Sequence, residues 1–161
     1  MKQIAHYING ENHKGSSDRT APVFDPALGK AVSEVSLANQ ADIAAAIASA
    51  KAAFPGWRDT SLAKRQQIIF KFRELLNERK HELAEIITAE HGKVLSDALG
   101  EVARGLENIE FACGIPHALK GEYTWGAGPG IDVYSMRQPL GVVSGITPFN
   151  FPAMIPMWMF G

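Results

Sequence analysis

Three features of this 161-residue chain point to an α/β domain. The first is the run from Gln138 to Gly161, which carries no charged side chain. An apolar run of that length is either a membrane span or a deeply buried strand-and-helix unit. It holds Pro139, Pro148, Pro152 and Pro156, and each proline removes a backbone donor, which argues against a spanning helix. The run is therefore expected to form a strand over Leu140–Ile146, a tight turn through Thr147–Pro152, and a helix starting near Phe151. The second feature is the apolar stripe Leu95, Leu99, Val102, Leu106, Ile109 and Cys113, spaced 4, 3, 4, 3, 4 as one helical face requires. The third is a set of short strand-like segments separated by turn dipeptides near the N-terminus.

In chain order, Tyr7-Ile8 followed by Asn9-Gly10 predicts a hairpin, because Asn-Gly suits a type I′ turn. Asp25-Pro26 and Gly29-Lys30 mark a second turn, ahead of a strand near Ala31–Val35. Asn39 is an N-cap candidate with Asp42 in the first turn. The helix behind it, through Ile43, Ala46, Ile47 and Ala50, is expected to stop before Pro55-Gly56. A second helix starts near Ser61, with Ile68, Ile69, Phe72, Leu75 and Leu76 on one face. A third occupies Glu82–Glu90 and ends at Gly92. The striped fourth helix ends at Gly114 and Pro116. Its internal Gly100 and Gly105 each cost about 1 kcal/mol against alanine, so they imply close packing on another element. Gly121–Trp125 and Ile131–Arg137 are expected as two extended segments joined by a glycine-rich turn. That hairpin leaves an edge open to pairing with another chain.

Composition excludes several classes. With 46% hydrophobic and 20% charged residues and a net charge of −1, the chain is neither disordered nor basic enough for nucleic acid. A single cysteine rules out an internal disulfide framework. The N-terminal residues form no secretory or transit leader, so a cytoplasmic location, without membrane attachment, is expected.

Asn150, the lone amide in the turn, has two readings. It is either an Asx-turn cap for the helix behind it or an amide donor to an oxyanion. Arg104 either pairs with Glu101 and Glu107, at i−3 and i+3, or clamps a substrate carboxylate. Cys113 ends an apolar stripe, which favours a buried structural thiol over a nucleophile. Cys113 and His117 are too few for zinc, and no metal site is expected. Gly126, Gly128 and Gly130 have the wrong spacing for a phosphate loop, and no helix follows them.

The segment Gly141-Val-Val-Ser-Gly-Ile-Thr-Pro-Phe-Asn-Phe-Pro-Ala-Met-Ile-Pro-Met-Trp-Met-Phe160 resembles the aldehyde dehydrogenase superfamily. Phe149, where most of the superfamily has Trp, and the run Gly100–Glu110 resemble its CoA-acylating methylmalonate-semialdehyde dehydrogenase branch. The resemblance begins at Tyr7-Ile-Asn-Gly-Glu11 and extends to the C-terminus, covering about the first third of a full-length member. It implies a helical part at 1–120, an oligomerisation hairpin at 121–138, and the first unit of a Rossmann-like sheet at 139–161, cut short. It implies NAD-dependent oxidation of malonate or methylmalonate semialdehyde, with coenzyme A as co-substrate and loss of carbon dioxide. Asn150 becomes the oxyanion donor by that resemblance. Ile146, Thr147, Pro148 and Phe149 become the cofactor turn, and Arg104 the substrate clamp. A tetrameric homo-oligomer is implied as well. The family's nucleophilic cysteine lies in a later segment, so the chain alone is expected to be inactive. A non-acylating aldehyde dehydrogenase, or a non-catalytic fragment binding partner subunits through the hairpin, are the other readings.

Overall fold

The structure is a computed structural model and describes residues 2–161. Five short strands open the chain: β1 (Lys2–Ile4), β2 (His6–Ile8), β3 (Glu11–His13), β4 (Thr20–Asp25) and β5 (Lys30–Ser36). β2 and β3 pair antiparallel, with Ile8 opposite Glu11. Asn9 and Gly10 both have positive φ, at 54° and 80°, as a type I′ turn demands. β5 is the centre of a three-stranded sheet, parallel to β1 and antiparallel to β4. The Asp25 carboxylate accepts from the Ala27 and Leu28 amides and closes the β4–β5 turn.

Helices follow. α1 spans Gln40–Asp59, and Asn39 caps it through a reciprocal box. The Asp42 amide donates to the Asn39 side chain, and the Asn39 amide donates to Asp42 Oδ2, each at 3.0 Å. α1 does not stop before Pro55 as expected; it carries Pro55 inside and ends at Thr60. The carbonyl that Pro55 deprives of a partner belongs to the fourth residue before it, Lys51, on an exposed surface. Water can satisfy that carbonyl, so the local rule is overridden. α2 (Leu62–Glu78) is capped by Ser61, and α3 (Lys80–His91) ends on Gly92 at φ 85°.

α4 (Leu95–Ala112) is the axis of the molecule, followed by the single turn α5 (Ile115–Ala118). Ala98, Val102 and Ile109 of α4 meet Ala84 and Ile87 of α3 and Met157 of α6 (Met154–Phe160). Ile69, Phe72 and Leu76 of α2 pack on this cluster. Fully burying side chains such as Val102 and Ile109 contributes about 1.5–3 kcal/mol each. Three residues assigned to buried stripes are instead exposed: Ile68, Leu75 and Leu95. Gly105 explains itself: a Cβ there would sit 3.3 Å from the Met154 Cα and closer still to the Met157 sulfur. Gly100 has open space around it, and no packing accounts for that glycine.

β6 (Tyr123–Gly128) and β7 (Ile131–Tyr134) form the long hairpin, somewhat shifted from its expected limits. The largest departure lies beyond it. Leu140–Ile146 is not a strand, and those residues are mostly exposed rather than buried. A strand exists through ladder hydrogen bonds, and no segment among the described residues lies alongside to supply them. The helix after the turn begins at Met154, not near Phe151.

Candidate active site

The turn that carries Asn150 is an exposed promontory. Ile146 is 100% and Phe149 92% accessible, and Thr147 is half-buried. Among the described residues no backbone hydrogen bond ties residues 138–150 to the rest of the chain. Gly141 sits at φ 107°, a conformation that side chains rarely adopt, and it turns the chain into this stretch. The backbone N–H groups of Ile146, Thr147 and Phe149 and the carbonyls of these residues and of Pro148 are therefore free to meet a ligand.

Asn150 is exposed, and its side chain makes no hydrogen bond among the described residues. The capping alternative fails on this geometry. α6 starts four residues later, its N-cap is Ala153, and no side chain of its own segment caps it.

The cap comes from α4. Glu101 is fully buried, and its Oε1 accepts from the amides of Ala153 at 2.8 Å and Met154 at 3.2 Å. Its Oε2 accepts from Lys93 Nζ at 2.6 Å. Burial is the largest single influence on this carboxyl and pushes its pKa up. The Lys93 ammonium and the two amides together outweigh burial and hold it below the ordinary glutamate range. Glu101 is thus not the partner of Arg104. Arg104 is exposed and forms no ion pair among the described residues. Its guanidinium carbon lies 5.6 Å from the centre of the Phe151 ring, and Lys93 Nζ lies 4.3 Å from the same centre. The residue next to Asn150 is therefore flanked by two cations.

Two hollows border these groups. An apolar cleft of about 670 Å³ lies between the sheet, α3 and the Phe149–Ala153 stretch. A second, of about 430 Å³, is lined by Arg104, Glu107, Asn108, Phe111 and Trp158. Cys113 stands apart, 6% exposed, its thiol pushed up chiefly by burial, as a structural thiol should be.

Of the residues singled out in the sequence, Ile146, Thr147, Pro148, Phe149 and Asn150 share one exposed turn. Phe151 connects that turn to Arg104. Lys93, Glu101 and Phe151 were not singled out. The available signal was Glu101 itself, a charge at helical spacing between Ala98 and Gly105 on the face that the core covers.

The sequence profile of the aldehyde dehydrogenase family matches residues 13–161. A malonate-semialdehyde dehydrogenase of Pseudomonas aeruginosa is 49% identical over 160 residues, which is 99% of this chain and 32% of that protein. The human mitochondrial acylating methylmalonate-semialdehyde/malonate-semialdehyde dehydrogenase is 45% identical over 154 residues, 96% of this chain and 29% of that one. A Sinorhizobium meliloti structure, provisionally assigned as a methylmalonate-semialdehyde dehydrogenase and solved with NAD, superposes at a TM-score of 0.96. Identity there is 53%, over 99% of this chain and 33% of the other. A methylmalonate-semialdehyde dehydrogenase from Oceanimonas doudoroffii also superposes at 0.96, with 48% identity and the same coverage. The chain spans about a third of the length of these relatives.

Proposed function

The chain belongs to the aldehyde dehydrogenase family, and on that premise we propose that it is the part of a semialdehyde dehydrogenase that presents the oxyanion donor and one wall of the cofactor site. The proposed substrates are malonate and methylmalonate semialdehyde, oxidised with NAD and passed as the acyl group to coenzyme A with loss of carbon dioxide. The observation that carries this reading is the uncommitted Asn150 amide, one residue from a ring that the Arg104 guanidinium covers. NAD, when bound, accepts a hydride from the substrate carbon. The turn suits its nicotinamide end, because Ile146 and Phe149 offer apolar surface beside unpaired backbone groups.

The Asn150 amide donates a hydrogen bond to the aldehyde oxygen as negative charge builds there. A donor that has no competing partner needs no reorganisation to do so. Arg104 offers its planar fork to the carboxylate at the far end of the semialdehyde. The nucleophile is not Cys113, whose thiol is buried and hard to ionise. The hairpin β6–β7, with its open edges, is read as the contact to a second copy of the chain in a homo-oligomer. Among the described residues no helix is long and apolar enough to cross a membrane, and a cytoplasmic location is part of the proposal.

The test is Asn150→Ala in the protein as its gene encodes it. Turnover should fall by about 10²–10³-fold, the loss typical of one oxyanion donor. Near-normal turnover would remove Asn150 from the chemistry. Formation of an acyl-CoA product decides the acylating reading, since a free acid as sole product would assign the non-acylating reaction. Arg104→Ala should weaken the use of malonate semialdehyde more than that of propanal, which has no carboxylate. Equal losses on the two would make Arg104 structural.

A further inference from the structure

We infer that Glu101, clamped by Lys93, is a positioning residue that sets the spacing between the Asn150 turn and the Arg104 guanidinium. The inference rests on the roles proposed above for those two residues. Glu101 Oε1 takes both free amides at the start of α6, those of Ala153 and Met154. Asn150 lies three residues before the first of them. The carboxylate cannot swing away, because Oε2 is held by Lys93 at 2.6 Å in a pair that is almost wholly buried. Nor can the Phe151 ring move freely, with Lys93 Nζ on one contact and Arg104 on another. Glu101 holds Lys93 by direct bonding, and Arg104 stands one turn further along the same helix.

A helix start needs no such device. A serine, threonine or aspartate at position 153 would cap α6 locally. Ala153 stands there instead, and the cap is a buried charge pair reaching over from α4. That arrangement does what a local cap cannot. It ties the backbone leading out of the Asn150 turn to the helix that carries Arg104, so the two polar groups keep a set distance.

The variants belong in the protein as its gene encodes it. Steady-state kinetics on malonate semialdehyde and propanal are read beside thermal melting and amide exchange of Ala153 and Met154. Glu101→Asp keeps the charge but draws the acceptor back by one methylene. Glu101→Gln keeps an acceptor at the same reach. Positioning predicts that Glu101→Asp lowers kcat about tenfold or more on both aldehydes, in line with what a displacement of about 1 Å does to catalysis. The two amides should exchange faster in that variant at temperatures where the fold is intact. Glu101→Gln keeps the acceptor for the two amides but turns an NH2 donor towards Lys93, so its kcat should fall less than that of Glu101→Asp and to about the level of Lys93→Met, which also loses the clamp. Lys93→Met, which frees the carboxylate without shortening it, should lower kcat while protecting Ala153 and Met154 less than the parent does. If Glu101→Asp does not fold, Lys93→Met carries the same test.

A kcat that merely follows melting temperature across the set, and is normal wherever the variants are folded, would overturn the inference. Asn150→Ala separates the two claims. A large loss there together with parental kcat in Glu101→Asp removes the positioning role alone. Parental kcat in Asn150→Ala removes the oxyanion reading and this inference with it.

Discussion

Helix α4 and the stretch from Leu140 to Asn150 both carry a set of apolar residues and glycines, yet they lie at opposite extremes of burial. α4 hides seven of its residues, including Glu101. The 140–150 stretch hides none, and Leu140, Ile146 and Phe149 are almost completely open. Apolar content is therefore not what buries a segment. α4 finds α2, α3 and α6 within the same chain and interlocks with each of them. The 140–150 stretch touches α6 where Gly145 meets Met159 but is buried by no element among the described residues, and it keeps its backbone and its one amide uncommitted. The buried region supplies rigidity and the exposed one leaves polar groups unpaired, with α6 following directly on the second and packing on the first.

The contrast breaks if substitutions on its two sides behave alike. Ile109→Ala should destabilise the chain by about 2–5 kcal/mol, since a fully buried isoleucine leaves a cavity. Ile146→Ala, on a fully exposed isoleucine, should stay within about 0.5 kcal/mol. Urea unfolding of both variants measures the difference, and comparable losses would mean that the 140–150 stretch is buried in solution.

The glycines of α4 sharpen the point within a single helix. Gly105→Val should cost about 1–3 kcal/mol, because its methyl groups would press on the Met154 backbone and on Met157. Gly100→Ala has open space and should gain up to about 1 kcal/mol from helix propensity. A loss at Gly100 as large as that at Gly105 would show an undetected neighbour.

Acid gives the smallest and most local effect. The Glu101 carboxyl is held below the ordinary glutamate range, so its ionised form stabilises the native state above that range. The contribution is lost as pH falls through the depressed native value, when the bonds to Lys93, Ala153 and Met154 weaken. Amide exchange in the first turn of α6 should accelerate on that acid limb before exchange at Val102 and Ile109 does. In Glu101→Gln the acid limb at α6 should disappear. Uniform acceleration across both regions would mean that Glu101 does not govern the junction.

Much of the fold was legible where the decisive hydrogen bonds are local. Asn39 and Asp42 cap each other across three residues, Asn9-Gly10 can take the two positive φ angles of its turn, and Gly92 ends α3 in the left-handed region. The α4 stripe was legible because its period matches one helical face. Pro55 was misread because whether a missing donor matters depends on the exposure of the orphaned carbonyl. Leu140–Ile146 was misread because a strand needs a partner, and apolarity does not announce one. Within the candidate site, the turn from Ile146 to Asn150 was visible as an isolated polar group in an apolar run. Its connection to Arg104 was not, since that runs through Phe151, Lys93 and Glu101.

The amino-acid sequence by itself determined the cap of α1, the Asn9-Gly10 turn, the glycine stop of α3, the core face of α4 and the family, all of which depend on residues within a few positions of one another, on helical period or on direct likeness to relatives. Only the tertiary structure decided that Glu101 leaves Arg104 for Lys93 and the amides of Ala153 and Met154, 52 and 53 residues away along the chain. The physical reason is that a buried carboxylate takes whichever donors the packing of α4 against α6 brings within about 3 Å. Helical spacing proposes Arg104 as its partner. Burial of Glu101 against α6, which presents two unpaired amides while Lys93 supplies the charge, overrules that proposal.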